Sequence, residues 1–405
     1  MFFEYSSNLN DSIELELDLK SLTVKNYIAD VVSINFHEIS NVKELVKIKE
    51  EWKKLFHKSA DATPFQSWEW NYAMINKFTR SEKLKIIVGY NNRNEIVGLA
   101  PLKLKCYRLT GIKILEFIGN GPSDYLDFLV QEKYRYTFIR SLFDLIKNSK
   151  DWTILNFINM KEETKNLLAF SLPVEVSEQD VCPYVFLPGS MDEYENEVHK
   201  RELKNIKRQL RKLVPQNRLE YIVKDSPDTL SEDVEKFIEL HQKRHNSKGE
   251  RGRFCSEDRK ESFYEISKFL NEAGILKIEM LKIDSQIAAI NYILLWNDRK
   301  YNYLSGMNPV FANFKPGKIL IYYMIEDAIN KGCKVFDFLQ GAEEYKYFWT
   351  NKEIQLYSAV YSRSRICLLL WTNVLTLKNR LKCSAFLKRA YQMFCKLLNK
   401  DIASD

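Results

Sequence analysis

The chain has 405 residues, of which 45% are apolar, 28% charged and 13% aromatic. That composition supplies cores for two or three globular domains, and with only 13 Gly and 10 Pro it excludes collagen-like and low-complexity chains. The formal charge of +7 sits from residue 361 onward, with nine Lys/Arg against two Asp/Glu. Residues 1–360 balance to neutrality, so the body lacks the basic excess of a nucleic-acid-binding protein and no DNA partner is expected.

Seven cysteines are scattered with no CxxC spacing, which predicts reduced thiols and neither a disulfide framework nor a structural zinc site. The first residues carry acids and no apolar core, so no secretory signal is expected. The longest apolar stretch, Ile366 to Leu377, falls short of the ~20 residues that span a bilayer.

Residues 1–30 are polar and weakly patterned, and read as a loose extension. Val31 to Phe36 reads as a strand, and Val42, Leu45, Val46, Ile48, Trp52 and Leu55 fall at helical spacing within Asn41 to Lys58. Lys85 to Tyr90 and Glu95 to Leu104 form a hairpin about Asn91–Asn94. A strand over Ile112 to Ile118, a helix over Tyr136 to Ile146 and a strand over Trp152 to Ile158 follow. The second half repeats this order. Helices run from Ser231 to His245 and from Phe263 to Leu270. Strands Ile275–Leu281, Ile287–Trp296 and Lys300–Ser305 turn at Asp284-Ser285 and Asn297-Asp298, and helix Ile319–Asn330 precedes strand Lys334–Leu339. The pattern predicts an α/β (α+β) chain of two like modules, 31–185 and 186–362, each a mixed, partly antiparallel sheet flanked by helices. The boundary falls near Ser177 to Pro188, and a basic amphipathic helical tail occupies 363–405.

Familiar nucleotide and metal motifs fail. Lys315-Pro316-Gly317-Lys318 lacks the first glycine and the Ser/Thr of a phosphate loop. His241 and His245 stand at i, i+4 without an indicated third ligand, and His241 lies on the apolar stripe of Val234, Phe237 and Ile238, so no metal is expected.

Other motifs occur in order: Thr63-Pro64-Phe65-Gln66-Ser67-Trp68-Glu69-Trp70, Val97-Gly98-Leu99-Ala100-Pro101-Leu102, and Phe117-Ile118-Gly119 leading to Ser123-Asp124-Tyr125-Leu126-Asp127-Phe128. Leu240-His241 through Arg244, Gly249 and Phe254 precede Tyr303-Leu304-Ser305-Gly306-Met307-Asn308-Pro309, then Lys315-Pro316-Gly317 and the run from Phe336 to Trp349. Over about residues 31–360 this set resembles the GNAT-superfamily acyltransferases of the CelD type, relatives of the FemAB peptidyltransferases. The resemblance implies tandem GNAT-like modules with acetyl-CoA or another acyl-CoA as donor, whereas FemAB relatives take aminoacyl-tRNA.

In a GNAT module the donor's pyrophosphate rests where a loop opens a helix, since a helix N-terminus carries partial positive charge and free N–H groups. Asn313, Lys315, Gly317 and Lys318 occupy that place, and Tyr303 joins them as a donor-side residue. The segment departs from the usual Gln/Arg-x-x-Gly-x-Gly/Ala pattern, and an ordinary helix start with solvent-facing lysines is the alternative. The resemblance places Lys346 in the active site. Glu343 as base and Tyr345 as acid complete a carboxylate, phenol and ammonium set suited to acyl transfer. Asp127, flanked by Leu126 and Phe128, is expected to be catalytic. Asp124, Tyr125, His241 and Arg244 are expected to face the acceptor, under a polar loop over 246–253 that reads as a lid. Lys200 to Lys212 carries seven bases and one acid, a solvated face or a guide for phosphate-bearing molecules.

The expected activity is transfer of an acetyl or longer acyl group from CoA to an amine or hydroxyl of a sugar, polysaccharide or cell-envelope precursor. FemAB-like aminoacyl transfer and a catalytically degenerate GNAT scaffold are the alternatives. The expected place is the cytoplasm, with the tail either packed on the second module or touching the inner face of the membrane.

Overall fold

The computed structural model describes residues 33–107, 110–369 and 371–373. The expected extension over 1–30 and the tail beyond 373 lie outside the described residues. The first half runs β1 (Asn35–Ile39), α1 (Val42–Lys47), α2 (Lys49–Lys58), α3 (Trp68–Ile75), β2 (Glu82–Tyr90), β3 (Ile96–Tyr107), β4 (Ile112–Phe117), β5 (Leu129–Val130), α4 (Arg135–Asn148), β6 (Ile154–Met160), α5 (Glu162–Ser171) and β7 (Glu175–Phe186). The second half runs α6 (Met191–Glu197), α7 (Lys200–Leu213), β8 (Leu219–Lys224), α8 (Leu230–Ser247), α9 (Glu257–Glu272), β9 (Leu276–Ile283), β10 (Gln286–Trp296), β11 (Arg299–Met307), α10 (Pro316–Asn330), β12 (Val335–Asp337) and β13 (Glu353–Ser362).

Local chemistry sets several of these elements. Asn41 caps α1 by accepting the Glu44 N–H at 2.9 Å, and Ser67 caps α3 by accepting that of Trp70 at 3.2 Å. Asp284-Ser285 and Asn297-Asp298 all adopt left-handed backbone, with φ between 47° and 64°. Two such residues in succession match the right-handed twist of a hairpin, so they fix the register of β9, β10 and β11.

Among the described residues thirteen strands form one mixed sheet in the order β1-β2-β3-β4-β6-β13-β7-β12-β11-β10-β9-β8, with β5 paired to β3 off this path. Among the described residues only β4–β6 and β11–β12 are parallel. The tandem plan therefore holds, with one exchange. β7 lies against β12 and β13, while β13 lies against β6 and β7. The last strand of each module completes the sheet of the other. The expected boundary near Ser177 to Pro188 thus falls inside a central strand. Its outer half, Glu175–Gln179, is polar and exposed, which in sequence looks like a linker.

Both parallel pairs are short. β11 and β12 pair only over Arg299–Tyr301 and Val335–Asp337, yet β11 continues to Met307 with β10 on its far edge. A wedge opens between β11 and the chain leaving β12. One apolar core crosses the module interface, joining Phe65, Trp70 and Tyr125 to Phe237, Tyr292 and Leu339. The tail begins as a helix at Arg365, with the Ser364 hydroxyl accepting the Cys367 N–H at 3.3 Å. Leu368 and Trp371 pack on Ile114, Ile154 and Val360. The described part of the tail therefore lies where β13 of the second module joins the first-module sheet, on Ile114 and Ile154 as well as Val360, rather than on the second module alone as expected.

Candidate active site

A loop of the first module fills the mouth of the β11–β12 wedge. Gly119 opens it with φ of 80°, where a Cβ would stand 2.4 Å from the Ser123 hydroxyl. Ser123 is fixed by the Trp70 indole N–H, which donates to its Oγ at 2.8 Å, and by the Asn159 amide, which donates to its carbonyl at 2.7 Å. Tyr303 of β11 donates to the Pro122 carbonyl at 2.8 Å and accepts from Arg253 at 2.7 Å. On the other side Tyr125 donates to Asp337 of β12 at 3.0 Å, and Arg299 reaches the same carboxylate oxygen at 3.0 Å.

These contacts hold Asp124 between the two strands. Its carboxylate accepts the Gln340 N–H and lies in the field of Arg253 and Lys346. Burial outweighs these attractions and pushes its pKa up to about 7. A carboxyl that exchanges its proton near neutrality is suited to proton transfer.

Lys346 is 2% exposed and donates to the carbonyls of Leu339 at 2.9 Å, Gln340 at 2.8 Å and Gly341 at 3.1 Å, with Glu343 at 2.9 Å. An ammonium has three N–H donors, and the loop uses them all. Leu339 is left-handed at φ 58°, a conformation that strains a branched side chain. Its N–H is held by Asp337 at 2.8 Å and its carbonyl by Lys346, so the two charges clamp the turn that opens the wedge.

The donor-side residues lie at the start of α10. Lys315 is left-handed at φ 55° and precedes Pro316 in the first turn. Nothing lies within 4 Å of a Cβ built at Gly317, so backbone there is open to a ligand. Lys318 pairs with Glu202 of α7 at 2.6 Å and lies over the Phe348 ring at 5.2 Å. Asn313 is exposed beside them.

Along the open edge of β11, buried His241 bonds through Nδ1 to the Ser305 carbonyl at 2.9 Å, and Arg244 reaches the same oxygen at 3.4 Å. Burial lowers the His241 pKa to about 4. Tyr345 is pushed up to about 12 by burial and by Glu343.

The structure thus gathers Asp124, Tyr125, Tyr303 and Lys346 in one cluster, with His241, Arg244 and Tyr345 along its edge. Asp127 is not among them. Arg135 binds its carboxylate at 2.8 Å, Thr164 donates to it at 2.8 Å and the Phe128 N–H at 2.7 Å. Its charge is satisfied within the first module, so the structure does not bring it to this cluster. Glu343 is paired with Lys346 and its side chain is 57% exposed, a place for an anchor of the clamp. Arg253, Asp337, Arg299 and Asn159 were missed as site residues. Arg253 sits in the polar 246–253 loop, where its charge is one of several, and only contact with Tyr303 singles it out.

Residues 200–347 match the family model described as Acetyltransferase (GNAT) domain. The fold resembles that of FemX, at 12% identity and TM-score 0.60, covering 83% of this chain and 99% of that one. It resembles a conserved protein of unknown function from Bacteroides thetaiotaomicron, at 12% identity and TM-score 0.54, over 82% of this chain and 100% of that one. It also resembles the C-terminal domain of a putative lysylphosphatidylglycerol synthetase from Agrobacterium fabrum, at 11% identity and TM-score 0.52, over 82% and 96%. No curated protein matches the sequence. Residues 200–347 thus match a GNAT acetyltransferase domain, set within a mixed α/β fold.

Proposed function

We propose that the enzyme moves an acyl group from acyl-CoA to an amine, or a hydroxyl, of a sugar, polysaccharide or cell-envelope precursor, as in the CelD-type relatives it resembles. The observation that carries this proposal is Asp124, a carboxyl with pKa about 7 held in the wedge between β11 and β12. The donor's pyrophosphate rests on the α10 start at Gly317, beside Lys315 and Lys318. Its acyl arm enters along the open edge of β11. The acceptor approaches from the first-module loop, beside Asp124 and Arg253.

In this scheme Asp124 takes the proton of the attacking nitrogen as that atom bonds to the thioester carbon. The C–S bond then breaks. Tyr345 stays a neutral phenol and donates a hydrogen bond to the departing sulfur. Lys346 acts as a positioning residue through the 339–341 turn, and His241 stays neutral while orienting the β11 edge. In this scheme the donor binds the second module alone. The start of α4 is filled by Arg135, which pairs with Asp127 and Glu163, each at 2.8 Å.

The likeness to FemX and to the lysylphosphatidylglycerol synthetase domain supports aminoacyl transfer from tRNA as the second reading, at the level of fold. Either donor needs the same base. The pH profile of kcat/KM tests it: activity rises with pH through about 7, where Asp124 loses its proton, and Asp124→Asn removes both the rise and most of the rate. An unchanged profile in that variant would refute the assignment.

A further inference from the structure

Asn159 stands at a break in the regular pairing of β6. Phe157 pairs with Ala359 of β13 and Met160 with Tyr357, so two residues of β6, Ile158 and Asn159, face Ser358 alone. This is a β-bulge, a device that re-aims a side chain beside a site. Asn159 is left-handed there, at φ 55°, and is 3% exposed. Asparagine tolerates that backbone better than most residues, and unlike glycine it brings an amide.

The side-chain amide donates to the Ser123 carbonyl at 2.7 Å, and the Asn159 carbonyl accepts the Leu126 N–H at 3.0 Å. One residue thus grips both ends of the segment Ser123–Leu126, with Asp124 and Tyr125 between them. The Asn159 N–H is itself tied to the Gln179 side chain of β7 at 2.9 Å. The amide also lies 3.4 Å from the Gln340 side-chain oxygen, and Gln340 is the residue whose N–H Asp124 accepts.

We infer that Asn159 is a positioning residue for the base of the acyl transfer: from its bulge it holds the Ser123–Leu126 segment shut and keeps water from the Asp124 carboxyl. The inference rests on the reading of Asp124 as that base. Without the amide, the buried Ser123 carbonyl loses its donor, and a water in the amide's place restores the bond. That water stands one peptide from Asp124, and a solvated carboxyl ionises more readily. The charged and titratable groups that face Asp124 are Arg253 of the 246–253 loop, Lys346 beyond the turn, Asp337 of β12, Tyr303 of β11 and the Cys182 thiol of β7. Asn159 and its partners are uncharged, so its replacement reaches Asp124 through water and loop position alone.

The test is a pH titration by carboxyl-carbon NMR of the full chain labelled at aspartate, with Asp124→Asn identifying the Asp124 resonance. In wild type that resonance should titrate at about 7. Asn159→Gly suits the backbone and removes the amide, and the midpoint should fall by about one unit or more, a roughly tenfold or larger loss of proton affinity. Asn159→Ala removes the same amide but keeps a Cβ on left-handed backbone. It should shift the titration as far, with a lower urea midpoint. Should Asn159→Ala not fold, Asn159→Gly decides the question alone. A midpoint near 7 in wild type that Asn159→Gly retains would overturn the role of Asn159 and leave Asp124 as the base, even if stability falls. A wild-type midpoint near the ordinary 3.8 would overturn Asp124 as the base, and this inference with it.

Discussion

Replacing Asp124 with Asn should make the protein more stable at neutral pH while disabling it. The Asp124 pKa stands at about 7 against an ordinary 3.8, so the folded state holds this proton more tightly than the unfolded chain. Between about pH 4 and 7 the folded state therefore binds more protons, and wild-type stability falls as pH rises through that window. Each unit is about 1.36 kcal/mol, so the ionised carboxylate costs up to about 4 kcal/mol above pH 7. Asparagine keeps the shape and cannot ionise. About two of the units lie between pH 5 and 7, so the stability gap between variant and wild type should widen by about 2–3 kcal/mol between pH 5 and 8. Urea unfolding followed by tryptophan fluorescence at the two pH values measures it, and turnover should drop by roughly a hundredfold or more. A gap that stays constant from pH 5 to 8 would show that Asp124 is an ordinary solvated carboxylate.

Lys346→Met leaves the buried Leu339 carbonyl and the part-buried Gln340 and Gly341 carbonyls without the ammonium and releases the strained Leu339 turn; we expect a loss of about 3 kcal/mol in urea unfolding together with lost activity. His241, with a pKa lowered to about 4 by burial, should show no imidazole titration between pH 5 and 8 by NMR; because its folded pKa lies below the unfolded value, its contribution is full above about 6.5 and is lost as pH falls toward 4. Deleting residues from 363 onward uncovers Ile114, Ile154 and Val360, and should lower stability by about 2–4 kcal/mol, whereas an unpacked tail predicts no change.

Much of the second module was legible because its turns are chemically specific. Asp284-Ser285 and Asn297-Asp298 are residues that tolerate left-handed backbone, and they stand where two-residue hairpin turns require it. Pro316-Gly317 marked the start of α10 for a similar reason. The exchange of β7 and β13 was not legible, since half of β7 is polar and pairing partners leave no local trace. The partners of Asp127 were not legible for a related reason. Its apolar neighbours suggested a functional carboxylate, but its partners Arg135 and Thr164 lie 8 and 37 residues away, on other elements. Asp124 was expected to face the acceptor, yet its proton affinity depends on Arg253, Lys346 and Gln340, which only the fold assembles.

The most direct measurement is a calorimetric titration of the wild type and of Gly317→Asp with acetyl-CoA, longer acyl-CoAs and aminoacyl-tRNA. No atom lies within 4 Å of a Cβ at Gly317, so the variant should fold normally while its carboxylate occupies and repels the pyrophosphate site. One acyl-CoA should bind per wild-type chain, with affinity at least tenfold weaker in the variant. Tight binding of aminoacyl-tRNA with none of acyl-CoA, or acyl-CoA binding indifferent to Gly317→Asp, would contradict the placement of the donor.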